Sequence, residues 1–190
     1  MVTYQCSGKC KHCSVAPRLN QVLGERHVRA GKATEAIKTL SRLYEIKSVM
    51  TFGGEPLLYS DVVCAIHQKT AECGIATRQI ITNGYFTNDA VKRKEVAFAL
   101  AQAGVNNLLI SVDAFHQETI QIESVYDFVK DVIEAGIPKT RLHPAWVVNE
   151  KQDNLYNIKT REVLSFFSDL KIPVSTGNNI TMTGNAIKYL

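Results

Sequence analysis

A repeated junction between helix-like and strand-like sequence limits the folds available to this chain more than any other feature. Three times a helical pattern ends at a glycine and an apolar, strand-like run follows at once, at Gly74, Gly104 and Gly136. Glycine suits the left-handed residue that closes a helix. The glycines are 30 and then 32 positions apart, about the length of one strand and one helix. We therefore predict repeated βα units, joined by right-handed crossovers into a parallel sheet.

Six strands are predicted, each an apolar run next to a helical pattern. They cover residues 2–5, 48–52, 75–82, 106–112, 141–148 and 172–175. Six such units indicate an α/β fold, either a curved, open barrel of the TIM type or a flat, doubly wound sheet. A chain of 190 residues with 45% hydrophobic content fits a single domain over residues 1–190.

Chemically distinctive residues stand where the predicted strands end. In parallel sheets, functional side chains collect at the carboxyl ends of the strands, which meet at one rim. The residues concerned are a cysteine loop at 6–13, Gly53, Gly54, Glu55, Pro56, Asn83, Ser111, Asp113 and His143. Their shared position predicts one functional site at that rim.

The cysteine loop has the character of a metal site with three protein ligands. Cys6, Cys10 and Cys13 are separated by three and then by two residues, and thiolates are the ligands that iron–sulfur clusters and zinc select. A structural zinc site normally has four protein ligands, and the helical pattern puts Cys64 and Cys73 on opposite faces of a helix. A four-iron cluster held by three cysteines keeps one iron open, so the spacing favours a catalytic cluster over a structural site.

Two segments resemble the signatures of one enzyme family. The loop is similar to that of the radical S-adenosylmethionine (radical SAM) superfamily, which has three cysteines at this spacing and an aromatic residue or histidine, here His12, before the third. Residues 52–56 resemble the family's Gly-Gly-Glu-Pro motif, in the matching position after the second strand. The chain therefore resembles a radical SAM core domain without the C-terminal auxiliary-cluster extension of some members.

The resemblance implies a fold, two cofactors and a set of site residues. The fold would be a partial (β/α)6 TIM-type barrel with a parallel sheet, and the cofactors a [4Fe–4S] cluster on Cys6, Cys10 and Cys13 and S-adenosylmethionine. The residues expected to bind S-adenosylmethionine are His12, Gly53, Gly54, Glu55, Pro56, Asn83, Ser111, Asp113 and His143. Each also has a plainer interpretation as a turn residue, a helix cap, a strand-end histidine or a residue that shapes the loop.

The resemblance also implies a reaction. The reduced cluster would cleave S-adenosylmethionine to methionine and a 5′-deoxyadenosyl radical, which takes a hydrogen atom from a substrate. A peptide or protein substrate is favoured, ahead of glycyl-radical activation or modification of a small molecule, and flavodoxin or ferredoxin is the expected electron donor. Two other classes stay open: a noncatalytic iron–sulfur protein for electron transfer or redox sensing, and a zinc-binding module.

Charge and composition limit the binding partners and the cellular location that we expect for the chain. The formal net charge is +4, and no run of like charge exceeds the triplet at residues 92–94, so nucleic acid is not an expected partner. The sequence offers no signal peptide and no membrane span, which predicts a cytoplasmic protein with free thiols and no membrane association. No cysteine follows residue 73, so the chain is expected to be either a minimal enzyme or the core of a longer protein.

Overall fold

Four parallel strands form the centre of the molecule in a computed structural model that describes residues 1–15 and 27–190. They pair in the order of the sequence, so that each strand lies beside the next one along the chain. The strands are β1 (Ser48–Thr51), β2 (Thr77–Thr82), β3 (Asn107–Ser111) and β4 (Thr140–His143). This arrangement confirms the predicted parallel sheet.

Helices connect the strands and cover the sheet. They are α1 (Ala30–Leu43), α2 (Ser60–Glu72), α3 (Ala90–Gln102), α4 (Ala114–Gln117), α5 (Ile122–Glu134), α6 (Leu155–Ser165) and α7 (Ala186–Tyr189). Short 3-10 helices span Pro56–Tyr59 and Ser168–Leu170. Among the described residues, none of the helices combines the length and apolar character needed to cross a bilayer.

The three predicted glycine junctions are present. Gly74, Gly104 and Gly136 have φ angles of 72°, 81° and 78°, in the left-handed region that glycine adopts without strain. After each glycine, the next residue donates its amide to a carbonyl five residues back, as Ile75 does to Thr70. The helix therefore ends where the sequence predicts, and the chain turns directly into β2, β3 or β4.

Irregular segments extend the sheet at both edges. Residues 2–5, predicted as a strand, run beside residues 52–55 with bonds that include Val2 N to Phe52 O at 2.7 Å. At the other edge, the amides of Leu142 and Ser175 make bonds of 2.9 Å between β4 and the predicted sixth strand. The four strands and two edge segments form the partial barrel, although neither edge segment pairs with the sheet in a regular ladder: Val174 makes one isolated bridge to Leu142, and Thr3 makes one to His27.

The predicted fifth strand is divided in two. Proline has no amide hydrogen to donate, and Pro144 interrupts the ladder at the end of β4. The chain continues as β5 (Ala145–Trp146), which pairs in parallel with β6 (Asn178–Asn179) in a separate two-stranded sheet. Residues 145–148 therefore leave the main sheet at the rim where its strands end.

The hydrophobic core lies between the strands and the helices. Fully buried side chains from the sheet, such as Ile80, Leu108 and Ile110, pack against Phe128 and Val129 of α5 and against their equivalents on α2 and α3. The core leaves the carboxyl ends of the strands uncovered. Loops that follow the strands surround this end of the barrel.

Candidate functional site

A cavity of about 440 Å³ opens at the carboxyl ends of the strands. Ten of the twelve residues predicted for the site line it: Cys6, Cys10, His12, Cys13, Gly53, Gly54, Asn83, Ser111, Asp113 and His143. These residues come from five separate loops and strand ends, so the convergence depends on the parallel order of the strands. Glu55 and Pro56 are not among the residues that line it.

The cysteine loop forms one wall of this cavity. Cys10 is buried, with 7% of its surface exposed, and Cys6 and Cys13 are half-buried. The Cys6 sulfur accepts a hydrogen bond from the amide of Gly8 at 3.4 Å and one from Nδ2 of Asn83 at 3.6 Å. Burial raises the pKa of the Cys6 thiol to about 12, despite the bond from Gly8. Cys6 therefore needs a cationic partner, such as a metal centre, to become a thiolate ligand.

The three cysteine sulfurs do not all lie within 4.8 Å of one another. Two sulfurs on one tetrahedral zinc ion lie about 3.8 Å apart, given Zn–S bonds of about 2.3 Å. In the described part of the chain, the group of three ligand atoms within 4.8 Å of one another comes from Cys10, His12 and His116, not from the three cysteines. The three cysteines therefore do not converge on one ion in this arrangement, whereas the thiolates that hold an iron–sulfur cluster each bind a different iron.

Gly53 and Gly54 leave room for the first segment of the chain. A Cβ atom on Gly53 would lie 2.3 Å from the carbonyl oxygen of Thr3, and one on Gly54 would lie 2.0 Å from that of Gln5. Both distances are shorter than Cβ atoms tolerate, and the clashing atoms belong to the backbone. Because glycine has no side chain, residues 2–5 can pass close to Gly53 and Gly54 and lead into the cysteine loop at the cavity. Gly53 and Gly54 themselves also line the cavity.

Glu55 lies behind the cavity wall and joins two strand ends. Its side chain is fully buried. One carboxylate oxygen accepts from the Leu57 amide at 2.9 Å and the Thr82 hydroxyl at 2.7 Å, and the other accepts from the Asn83 amide at 2.7 Å. Pro56 begins the adjoining 3-10 helix and is also buried. The contacts of Glu55 therefore support the backbone after β1 and β2.

Three predicted polar residues face the cavity from the ends of β2, β3 and β4. Asn83 accepts from the amide of Tyr85 at 2.8 Å and donates to the Ser7 hydroxyl at 3.1 Å. Ser111 is the last residue of β3 and is almost completely buried. His143 contacts the Ser175 hydroxyl at 2.7 Å through Nδ1, and burial lowers its pKa. These groups supply hydrogen bonds at the rim of the cavity, and Asn83 also contacts the cysteine loop through Cys6 and Ser7.

Asp113 is fully buried and has several partners. One oxygen accepts from the amides of Phe115 and His116 at 3.0 Å and caps α4. The other accepts from the amide of Ala145 at 3.1 Å and lies 2.8 Å from Nδ1 of His116. The helix-cap interpretation of Asp113 therefore fits its contacts, and its carboxylate connects the cavity wall to a histidine.

His116 is a site residue that the sequence analysis missed. It lines the cavity beside Cys10 and His12, and its ring is 5.0 Å from that of His12 in an edge-to-face contact. His12 also packs on Phe115, and burial lowers the pKa of His12 to about 4, so that it is neutral. A signal was available, because an aspartate at a helix N-cap and a histidine three residues later lie close together.

Asn185 was also missed, and it holds the cysteine loop from the other end of the chain. Its backbone amide donates to the carbonyl oxygen of Cys13 at 3.0 Å, and its side-chain amide donates to that of Cys10 at 3.2 Å. Gly184 precedes it with φ 57°, and a Cβ there would lie 2.5 Å from the same Cys13 oxygen. The residues just before, 178–181, line the cavity as well.

Comparison with known proteins decides the family. Residues 1–154 match the family model described as the radical SAM superfamily. The chain belongs to this superfamily. Radical SAM proteins use a [4Fe–4S] cluster and S-adenosylmethionine, and the thiols of Cys6, Cys10 and Cys13 line the cavity of this radical SAM chain.

Curated relatives are about a quarter identical to the chain over the residues that align. A GTP 3′,8-cyclase from Moorella thermoacetica is 26% identical and matches 75% of this chain and 44% of its own length. A GTP 3′,8-cyclase from Limosilactobacillus fermentum is 27% identical and matches 81% of this chain and 46% of its own length. The chain therefore spans just under half the length of these relatives.

Solved structures share the fold at low sequence identity. Native anSMEcpe with bound AdoMet superposes with a TM-score of 0.66 at 14% identity, over 95% of this chain and 50% of that one. HydG, a maturase of the [FeFe]-hydrogenase, gives 0.68 at 12% identity, over 99% of this chain and 44% of that one. These matches confirm the partial TIM-type barrel.

Proposed function

We propose that the chain is the core domain of a radical SAM enzyme that generates a 5′-deoxyadenosyl radical and abstracts hydrogen from a substrate. The observation that carries this proposal is the single cavity in which Cys6, Cys10 and Cys13 face Gly53 and Gly54. The two signatures are some forty residues apart in sequence, and a noncatalytic electron carrier needs no second one. The match of residues 1–154 to the radical SAM family also supports it.

The three cysteines would hold three irons of the cluster. The fourth iron would bind S-adenosylmethionine, and the backbone of Gly53 and Gly54 would help to position it. When bound, the reduced cluster supplies one electron that breaks a carbon–sulfur bond of S-adenosylmethionine and yields methionine and the radical. The cavity volume of about 440 Å³ is in the range of sites for ligands of this size. The walls would shield one side of the bound groups from bulk water, which limits quenching of a reactive species.

Polar groups at the ends of β2, β3 and β4 would orient S-adenosylmethionine. Asn83, Ser111 and His143 each reach the cavity from a different strand, and each offers a hydrogen-bonding group that suits a ribose hydroxyl or a carboxylate. His12 would stack beside the adenine while its neutral ring adds no charge. Glu55 and Asp113 would act through the backbone and through His116, because their own oxygens are occupied.

Anaerobic reconstitution with iron and sulfide tests this proposal. We expect a brown protein with one [4Fe–4S] cluster that, after reduction with S-adenosylmethionine present, forms 5′-deoxyadenosine and methionine in equal amounts. Replacing Cys6, Cys10 or Cys13 by Ala should abolish both cluster and products. Cys64→Ala is the matched control, since burial raises the pKa of the Cys64 thiol on α2 to about 11 and keeps it protonated. A colourless, zinc-loaded protein would reject the proposal.

Two substrate classes are candidates. A peptide or protein is the class favoured by the sequence interpretation, and GTP is favoured by the printed names of the curated relatives. Reconstituted enzyme with flavodoxin or ferredoxin as electron donor should form 5′-deoxyadenosine faster when the true substrate is added. With deuterium-labelled GTP or labelled candidate peptides from neighbouring genes, mass spectrometry then shows which of them transfers deuterium to 5′-deoxyadenosine.

A further inference from the structure

Arg141 lies on the inner face of the barrel, on the same strand as a residue that lines the cavity. Along β4, Leu142 packs into the core beneath the helices, whereas Arg141 and His143 on either side of it are half-buried. Successive side chains of a strand point to opposite faces, so Arg141 and His143 share the inner face. His143 lines the cavity. Arg141 is two residues, or about 6.6 Å, deeper along the strand.

The register of the sheet puts Arg141 in one row with another residue of the cavity wall. Arg141 is aligned with Leu109 of β3, and Leu109 is aligned with Ile81 of β2. Ile81 lines the cavity, and Leu109 is buried. The row below the rim therefore consists of two apolar side chains and one cation. Apolar neighbours screen a charge weakly, so the guanidinium of Arg141 interacts strongly with any ion that reaches it.

The charge of Arg141 has no counter-ion among the described residues. Its Nη2 donates to the neutral side-chain oxygen of Asn107 at 2.7 Å, and its Nε is buried without a hydrogen-bond partner. No described Asp or Glu forms an ion pair with it, whereas the little-exposed Arg93 pairs with Asp131 at 2.6 Å. A buried donor without an acceptor and a half-buried cation without a counter-charge both cost free energy. A ligand that brings negative charge would remove that cost.

The guanidinium group limits the chemistry of such a ligand. Its planar fork of donors matches the paired oxygens of a carboxylate or a phosphate. The neighbouring His143 adds no competing charge, because burial and then the charge of Arg141 lower the pKa of its ring. At the end of β4, an entering anion therefore meets a neutral imidazole at the rim and the cation of Arg141 below it.

We propose that Arg141 binds an anionic group, a phosphate or a carboxylate, of the substrate from which the radical abstracts hydrogen. This inference rests on the proposed function and narrows its substrate class. The anionic group is held at the level of Ile81, below the rim, and the rest of the substrate extends past His143 into the cavity. GTP would supply phosphates and a peptide would supply a carboxylate, so the experiment has one arm for each source.

Equilibrium dialysis of the reconstituted protein with S-adenosylmethionine present tests the inference. Pyrophosphate is the phosphate probe, and succinate is the carboxylate probe. Arg141→Met keeps a long apolar side chain but removes the charge and the donors, and it should weaken the binding of at least one probe by about tenfold or more. Its affinity for S-adenosylmethionine should equal that of the wild type. Arg161→Met is the matched control, since it makes the same charge change at an exposed residue of α6 that pairs with Asp153.

A second variant keeps the inference testable if Arg141→Met does not fold. Asn107→Asp leaves Arg141 in place and puts a carboxylate where Nη2 now finds a neutral oxygen, so it should weaken binding of the same probe. A loss of pyrophosphate binding in these variants assigns a phosphate, and a loss of succinate binding assigns a carboxylate.

Three results overturn the inference: neither probe binds the wild type, the variants at 141 and 107 bind both probes as the wild type does, or Arg141→Met weakens S-adenosylmethionine alone. Failure of the proposed function has a different signature. A wild-type protein that binds a probe through Arg141 but forms no [4Fe–4S] cluster and no 5′-deoxyadenosine overturns the proposed function and leaves the anion site standing.

Discussion

The carboxylate of Glu55 accepts a hydrogen bond from the backbone amide of Asn83 at 2.7 Å and so joins the ends of β1 and β2. The same side chain accepts from Leu57 and Thr82, which makes three donors for one buried group. Glu55, the acidic residue that follows the two glycines, therefore supports the backbone at the strand ends and does not line the cavity. Its contacts lead to two predictions.

Glu55→Gln should lower the free energy of unfolding of the cluster-free chain by about 1–3 kcal/mol at pH 6. The amide nitrogen of glutamine donates and cannot accept, so at least one of the three buried donors loses its partner. Urea unfolding followed by circular dichroism measures the change. Glu95→Gln, at an exposed position of α3, is the control and should stay within about 0.5 kcal/mol of the wild type.

The stability contributed by Glu55 should depend on pH. Burial raises its pKa to about 7, from an ordinary value of 4.5, against the opposing effect of its hydrogen bonds. The folded chain therefore binds this proton more tightly than the unfolded chain does. The contribution is fully present below pH 4.5 and is lost as the pH rises through 7, by at most about 1.4 kcal/mol per pH unit. Wild type and Glu55→Gln with the same pH profile would contradict this prediction.

Local patterns in the sequence were sufficient for the sheet and for ten of the residues that line the cavity. The glycines at 74, 104 and 136 mark helix ends through backbone conformation, which depends on neighbouring residues alone. Parallel order then brings all the strand ends to one rim, so residues as distant in sequence as Cys6 and His143 line the same cavity.

Local sequence patterns did not predict the direction of individual side chains or the irregular pairing at the edge of the sheet. Glu55 follows two glycines that line the cavity, yet its own carboxylate points into the protein, where it accepts three hydrogen bonds from Leu57, Thr82 and Asn83. Residues 2–5 are apolar enough to predict a strand. In the structure their backbone lies against Gly53 and Gly54 and does not form a regular β-ladder with the residues after β1. Asn185 contacts Cys10 across 175 positions, and no local pattern predicts a contact at that range.

Gly54→Ala should weaken binding of S-adenosylmethionine by at least about tenfold, because a 1 Å displacement of positioning groups has large effects in such sites. The new Cβ would lie 2.0 Å from the carbonyl oxygen of Gln5, which pushes the first segment and its cysteine loop away from the cavity. Equilibrium dialysis with the reconstituted protein measures the affinity. Gly31→Ala is the control: its Cβ meets nothing within 4 Å in α1, so binding should be unchanged and stability about 0.5–1 kcal/mol higher.

Asn185→Ala should make the cluster easier to remove. The substitution deletes the bond from Nδ2 to the carbonyl oxygen of Cys10 and leaves the backbone bond to Cys13 in place. One hydrogen bond of ordinary strength corresponds to a rate of cluster loss roughly 2- to 10-fold faster. The decay of visible absorbance under an iron chelator measures that rate. Asn88→Ala, which removes an exposed partner of the Tyr85 hydroxyl, should lose its cluster at the wild-type rate. Equal rates for all three proteins would mean that the C-terminal contact does not hold the loop.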